Sequence, residues 1–288
     1  MSHLDALCGL LLAGMLASTA SAAPWQQSYS DVLELDWREP DLRRQYGDSS
    51  KQFAELWLPA NAQGRSPLVV LIHGGCWLEA YDIAHIRPLA TALANKGYAV
   101  WALEYRRVGQ DGGGWPGTFQ DIADGIDALK ELNQDKIDTT RTVVVGHSAG
   151  GHLALWAAGR PRLQPEQELF RAAPFMPRGV IGLAAITDLA TYARGESSCQ
   201  QATPRLMGGM AEEHPTRYAQ GSPAELGTSL PSVLLHGDAD TIVPLEQATA
   251  MPSATLHQIE GAGHFDLIHP KTPAFGMLLA EIERTLSP

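Results

Sequence analysis

The chain reads as an α/β protein built on one mostly parallel sheet of eight strands, with helices on both faces. Three observations lead there. From Asp31 onward, apolar strand-like runs alternate with helical stretches, as in a sheet whose strands are joined by crossover helices. Leu68-Val69-Val70-Leu71-Ile72 and Thr142-Val143-Val144-Val145 run apolar without a polar break, which suits central parallel strands covered on both sides. The 288 residues are 44% hydrophobic and 18% charged, a globular balance, and no linker or repeat divides them.

The elements follow in order. Residues 1–22 contain an apolar run followed by Ser-Thr-Ala-Ser-Ala, with the small-x-small pattern Ala20-Ser21-Ala22 of signal cleavage. We read them as a secretory signal peptide, which makes the protein exported, periplasmic or secreted, and 23–288 as one catalytic domain. Residues 1–5 carry no Lys or Arg, and a buried N-terminal helix is the alternative. The run is too short for a stable membrane anchor. Strands are expected over 32–37, 52–58, 68–73, 98–104, 141–145, 179–186, 232–236 and 254–260. The first two alternate as an antiparallel edge pair would. Helices are expected over 83–96, 119–133, 149–158, 245–250 and 273–285. Between 187 and 230 the alternation lapses into a Gly/Pro/Ser-rich stretch too long for an ordinary connection, read as a lid over the site, with a surface excursion as the alternative.

A formal charge of −11 and a pI near 5.3, with no basic cluster, exclude a nucleic-acid partner. Oligomeric state leaves no trace in the sequence. Cleavage of the leader would remove Cys8 and leave Cys76 and Cys199. A disulfide and two separate thiols both fit that pair, because spacing alone does not place their Cα atoms.

The most informative segment is Gly146-His147-Ser148-Ala149-Gly150, between a β-branched run and a small-residue helix. A strand turning into a helix this sharply puts its central residue in a strained conformation, and flanking glycines remove colliding side chains. Ser148 is therefore the candidate nucleophile. The first amides of the following helix would face negative charge developing beside it.

A serine hydroxyl needs a base, and the base a group that fixes its tautomer. Two downstream strands end in Asp238-Ala239-Asp240-Thr241-Ile242-Val243-Pro244 and Gly261-Ala262-Gly263-His264, giving the chain order Ser, Asp, His. His264 is the candidate base; His147, His152 and His257 do not fit the order. Asp240 is the preferred orienting acid, with Asp238 bracing its loop and Asp188 the alternative. Upstream, His73-Gly74-Gly75-Cys76-Trp77 closes a strand in a glycine turn. The N–H groups of Gly75 and Cys76, with that of Ala149, would form an oxyanion hole, each donor being worth about 3 kcal/mol of barrier. No base is expected beside Cys76, so it reads as structural. Trp77 and Trp115 are candidates for the substrate pocket or for ordinary core.

These residues resemble the α/β-hydrolase family, in its esterase and lipase branch with hormone-sensitive-lipase-like carboxylesterases and kynurenine-formamidase-like members. The resemblance covers residue 52 to the C-terminus. His73-Gly74-Gly75-Cys76-Trp77 and Gly146-His147-Ser148-Ala149-Gly150 are closer to the formamidase-like signatures than to the His-Gly-Gly-Gly and Asp/Glu-Ser of the lipase-like ones. The resemblance implies an α/β-hydrolase fold with a small lid insertion, a triad of Ser148, Asp240 and His264, and an oxyanion hole at Gly75, Cys76 and Ala149.

The reading is a serine hydrolase cleaving small carboxylic esters through an acyl-enzyme, with no metal or organic cofactor and a small-molecule ester or amide as substrate. An arylformamidase or amidase on the same triad is the rival within the fold. A catalytically idle ligand-binding protein is the rival outside it.

Overall fold

The computed structural model describes residues 26–287 apart from 63, 133, 134 and 229, so the expected leader lies outside the described residues. The eight strands are β1 (Leu42–Gln45), β2 (Phe53–Trp57), β3 (Ser66–Ile72), β4 (Ala99–Leu103), β5 (Ile137–His147), β6 (Gly179–Leu183), β7 (Ser232–Gly237) and β8 (Thr255–Ile259). They form one sheet in the order β1-β2-β4-β3-β5-β6-β7-β8. β2 is antiparallel to both β1 and β4, and all other pairs are parallel.

The apolar runs are buried on both faces, as their lack of alternation requires. Leu68, Val70 and Ile72 of β3 enter one core, while Val69 and Leu71 enter the other, and Val144 is likewise divided from Val143 and Val145. The edge strand β1 is mostly exposed. Covering the first face are α3 (Gly117–Asp127) and α4 (Ala149–Gly159); covering the second are α2 (Arg87–Asn95) and α10 (Pro273–Leu286). A short α9 (Leu245–Thr249) follows β7. Every residue of α4 is buried, so its small side chains allow close contact with the sheet.

The expectation of a strand over 32–37 is corrected. Residues 29–33 are instead the short helix α1 (Tyr29–Leu33), because Ser28 and Asp31 form a reciprocal cap: Ser28 Oγ accepts from the Asp31 amide, and Asp31 accepts from the Ser28 amide at 2.7 Å. The partner of β2 is β1, ten residues later, with Leu42 opposite Leu56. The helix expected over 83–96 begins with a 3-10 turn at Ile83–Ile86 and becomes α-helical only from Arg87, with Pro88 in its first turn.

The described residues of 187–230 hold four short helices, α5 (Leu189–Tyr192), α6 (Ser198–Met207), α7 (Pro215–Gly221) and α8 (Pro223–Leu226). Prolines at the starts of α7 and α8 and inside α6 break the stretch into pieces too short to show a helical period. The insertion is fastened to α4: His152 Nε2 donates to the Gly221 carbonyl at 2.9 Å, and Trp156 Nε1 to the Gln220 carbonyl at 3.1 Å.

Trp156 is fully buried and meets Phe119 edge to face at 5.0 Å. Trp156→Ala should therefore cost about 3–5 kcal/mol of unfolding free energy in a urea titration, through lost packing and an orphaned carbonyl. A loss below about 1 kcal/mol would show that α4 does not rest on this contact.

Candidate active site

The parallel register aligns the carboxyl ends of the central strands. Ile72 lies opposite Gly146, His147 opposite Leu183, and Gly237 opposite Ile259. The turns that follow these ends hold the candidate residues, next to the point where the strand order reverses around β3.

Ser148 is the single residue between β5 and α4, with φ 56° and ψ −120°. Its amide donates to the Leu183 carbonyl at 2.8 Å, and its own carbonyl accepts from His152 N at 3.0 Å. The elbow is tight enough that a Cβ at Gly146 would overlap the Gly150 carbonyl, and one at Gly150 the carbonyls of Ile72 and His73. Gly74 lies as close: a Cβ there would come within 3.0 Å of Ser148 Cβ. The glycine turn and the serine elbow are thus in contact.

His264 Nδ1 and Asp240 Oδ2 are 2.7 Å apart. The other Asp240 oxygen accepts from the amides of Ile242 and Val243, at 2.8 and 2.9 Å. Burial pushes the Asp240 carboxyl up, but the His264 hydrogen bond and these two amides outweigh it and hold it below the ordinary carboxylate range. An ionised Asp240 accepts from Nδ1–H, which leaves Nε2 as the basic nitrogen. Asp238 braces the neighbouring turn, accepting from Gly261 N at 2.6 Å. Asp188 caps α5 through Thr191.

A cavity of about 270 Å³ opens on this edge, lined by Ser148, His264, Gly75 and Cys76 among others. Ser148 and His264 share it without a hydrogen bond between their side chains. Among the described residues, the amides of Gly75, Cys76 and Ala149 donate to no protein acceptor. Its lining includes a ring cluster of Tyr29, Tyr81, His85 and Phe265, with Tyr29 5.6 Å from each of the other three rings. It also includes Ser197, Ser198 and Cys199 from the insertion, and Cys199 is disulfide-bonded to Cys76. Of the two outcomes open for these cysteines, the structure holds the bonded one.

Neither of the two candidate pocket tryptophans lines the cavity, and both take the alternative of packing in the scaffold. Trp77 is fully buried, its indole N–H donating to His152 Nδ1 at 3.2 Å. Trp115 packs against Phe119 and donates to Glu168 at 2.7 Å. Indoles that find both apolar cover and an acceptor in the scaffold are drawn there rather than to a wet cavity. Tyr29 lies just ahead of the strand expected over 32–37, in a stretch given no element by the sequence reading. The residues just before it grip the His264 loop: Gln26 Nε2 donates to the Gly261 carbonyl at 3.0 Å, and Gln27 N to Asp266 Oδ1 at 2.9 Å.

Four other histidines form the frame. His147 Nε2 donates to the His264 carbonyl at 3.0 Å, bracing the loop of the candidate base. His73 Nδ1 donates to the Gly74 carbonyl at 2.7 Å, leaving Nε2 to accept from Arg107 Nη1 at 3.2 Å. Arg107 is paired with the buried Glu104, which also accepts from Ile83 N at 3.1 Å. Burial, with Arg107 nearby, lowers the His73 pKa to about 3. Burial, with His73 nearby, does the same to His85, and burial lowers His152 to about 4. Burial and the neighbouring His264 push His147 well below its ordinary value. All four are neutral donors or acceptors at neutral pH.

The sheet, its crossover helices and a serine elbow at its carboxyl edge define an α/β-hydrolase. The BD-FAE family model matches residues 54–255, more than half of the chain, and the chain belongs to that family. Esterase LipC of Mycobacterium tuberculosis is 25% identical over 265 residues, covering 83% of this chain and 64% of that protein. Isoprenylcysteine alpha-carbonyl methylesterase ICME of Arabidopsis thaliana is 33% identical over 150 residues, covering 50% of this chain and 34% of that protein. The chain thus spans less than two thirds of the length of these relatives. Among solved structures, esterase B of Lactobacillus rhamnosis superposes with a TM-score of 0.72 at 22% identity, over 87% of this chain and 88% of that one. A truncated carbohydrate esterase from gut microbiota also gives 0.72, at 19% identity, over 87% of this chain and 100% of that one. At such identities these structures speak for the fold.

The buried histidines set a pH response. Their folded pKa values lie below the ordinary 6.5, so between about 6.5 and the folded values the unfolded chain binds more protons. Stability is complete above that window and lost as pH falls through it, by up to about 1.4 kcal/mol per pH unit for each histidine. Denaturant titrations should show unfolding free energy falling by at least ~1 kcal/mol between pH 6 and 5. A flat profile would mean that these rings are already charged in the fold.

Proposed function

We propose that the protein is a serine carboxylesterase acting on small esters. The observation that carries this reading is the Asp240–His264 pair, 2.7 Å apart, opening into the same cavity as Ser148 on its left-handed elbow. Membership in the BD-FAE family and the esterase names of the relatives support it. Ser148 Oγ attacks the ester carbonyl while His264 Nε2 takes its proton, and Asp240 stabilises the imidazolium. The tetrahedral oxyanion receives the free amides of Gly75, Cys76 and Ala149. As it collapses, His264 returns the proton to the alcohol, and water activated by the same ring then releases the acid.

A cavity of about 270 Å³ favours short acyl and alcohol groups. Trp77 and His147, whose signatures suggested a formamidase, are engaged by His152 and the His264 backbone, so the ester reading stands ahead. The leader-like residues 1–22 and the Cys76–Cys199 bond support export to an oxidising compartment.

Initial rates on p-nitrophenyl acetate test the mechanism. Ser148→Ala should lower kcat by at least ~10³-fold, since nucleophile and base act as a unit. Equal rates in the two folded proteins would overturn it. Asp240→Asn should lower kcat by roughly 10³–10⁴-fold by favouring the wrong tautomer, whereas Asp238→Asn should leave it close to wild type. The reverse ranking would move the acid to Asp238.

A further inference from the structure

The Cys76–Cys199 disulfide closes 123 residues of sequence and joins two segments that both line the cavity: the turn after β3 and the first turn of α6. The turn is unusual. Gly75, Cys76 and Trp77 have φ values of 104°, 52° and 56°, three left-handed residues in succession, two of them with side chains that disfavour that region. Such a run persists only where the surroundings hold each residue. Trp77 is held by its indole on His152, and its carbonyl accepts from Val108 N at 2.9 Å. The Gly75 carbonyl accepts from Leu78 N at 2.9 Å. Cys76 packs in the first core, but among the described residues no hydrogen bond reaches its backbone; its covalent tie beyond its own turn is the bond to Cys199. Cys199 is itself anchored, in a helix whose start is closed by a reciprocal cap between Ser197 and Gln200.

We propose that Cys199 is a positioning residue for ester cleavage: acting through Cys76, it holds the Cys76 amide where the oxyanion forms. The role rests on the esterase reading above. It also explains why a cysteine stands in the oxyanion turn with no base beside it. Opening the bond leaves the turn left-handed at Trp77 but untethered one residue earlier. The donor array then has to be ordered in each turnover, which lowers kcat more than it weakens substrate binding.

The test is reduction of the folded, full-length protein. Dithiothreitol passes two electrons and two protons to the disulfide, is itself oxidised to its cyclic disulfide, and leaves two cysteine thiols. It is removed by desalting under argon before the assay, because free thiols attack p-nitrophenyl esters. Titratable thiols should rise by two. On p-nitrophenyl acetate, well below the melting temperature of the reduced protein, kcat should fall by about tenfold or more with KM within roughly threefold, and reoxidation should restore it. Cys199→Ser should match the reduced wild type and ignore reductant. A lower melting temperature with unchanged kcat would reduce the bond to a mere staple and overturn the proposal; so would no rise in thiols. Ser148→Ala separates the two readings. Activity surviving in that variant defeats the esterase mechanism, while an inactive Ser148→Ala beside an undisturbed reduced enzyme defeats only the role of Cys199.

Discussion

The close approach of three backbones at one sheet edge is the constraint on which the rest of the molecule depends. The end of β3, the end of β5 and the start of α4 pack so tightly that Cβ atoms at Gly146 and Gly150 would overlap neighbouring carbonyls. Side chains there would lift the helix off the strand, and the elbow would open. With the approach intact, Ser148 is left at the apex, the glycine turn after β3 rests against it, and the first amides of α4 face the same space. The all-buried, small-residue character of α4 serves this end as much as the core.

Around that edge, groups usually associated with chemistry are used as fasteners. His73, His147 and His152 each donate one ring N–H to a backbone carbonyl. The last two join segments 117 and 69 residues apart in sequence. Rings that must stay neutral to fit are stiff braces, bonded at both nitrogens in His73 and His152, and burial enforces that neutrality. The buried Glu104–Arg107 pair works similarly: Arg107 donates to His73 at the end of β3, and Glu104, at the end of β4, accepts from the turn before α2. Among the histidines facing the cavity, His264 differs in having an ionised carboxylate as its partner.

Much of this was legible in the chain. Continuous apolar runs carry the period of a sheet buried on both faces, and glycines at a strand–helix junction carry the need for close approach. The Ser, Asp, His order picks out Ser148 and His264, which line one cavity, and Asp240, which meets His264, while the carboxylates of Asp188 and Asp238 are bound to Thr191 and Gly261. What stayed hidden is decided by distant partners. Residues 32–37 alternate like a strand, yet the Ser28–Asp31 cap fixes a helix just ahead of them. Trp77 in the glycine turn after β3 looks like a pocket wall until His152, 75 residues on, supplies its acceptor. The Cys76–Cys199 pairing needed a helix, α6, that proline had disguised.

The arm that carries Tyr29 gives the site a history as well as a shape. Its ring meets Phe265, and the two residues near its start hold the backbone of Gly261 and the side chain of Asp266. One wall of the cavity is therefore drawn from opposite ends of the described chain. A growing polypeptide has no complete cavity until residue 265 has emerged and returned to residue 29, and the loop closed by that meeting is nearly the longest the protein makes. The wall thus rests on a far longer-range closure than any pairing within the sheet, where neighbouring strands lie closer in sequence.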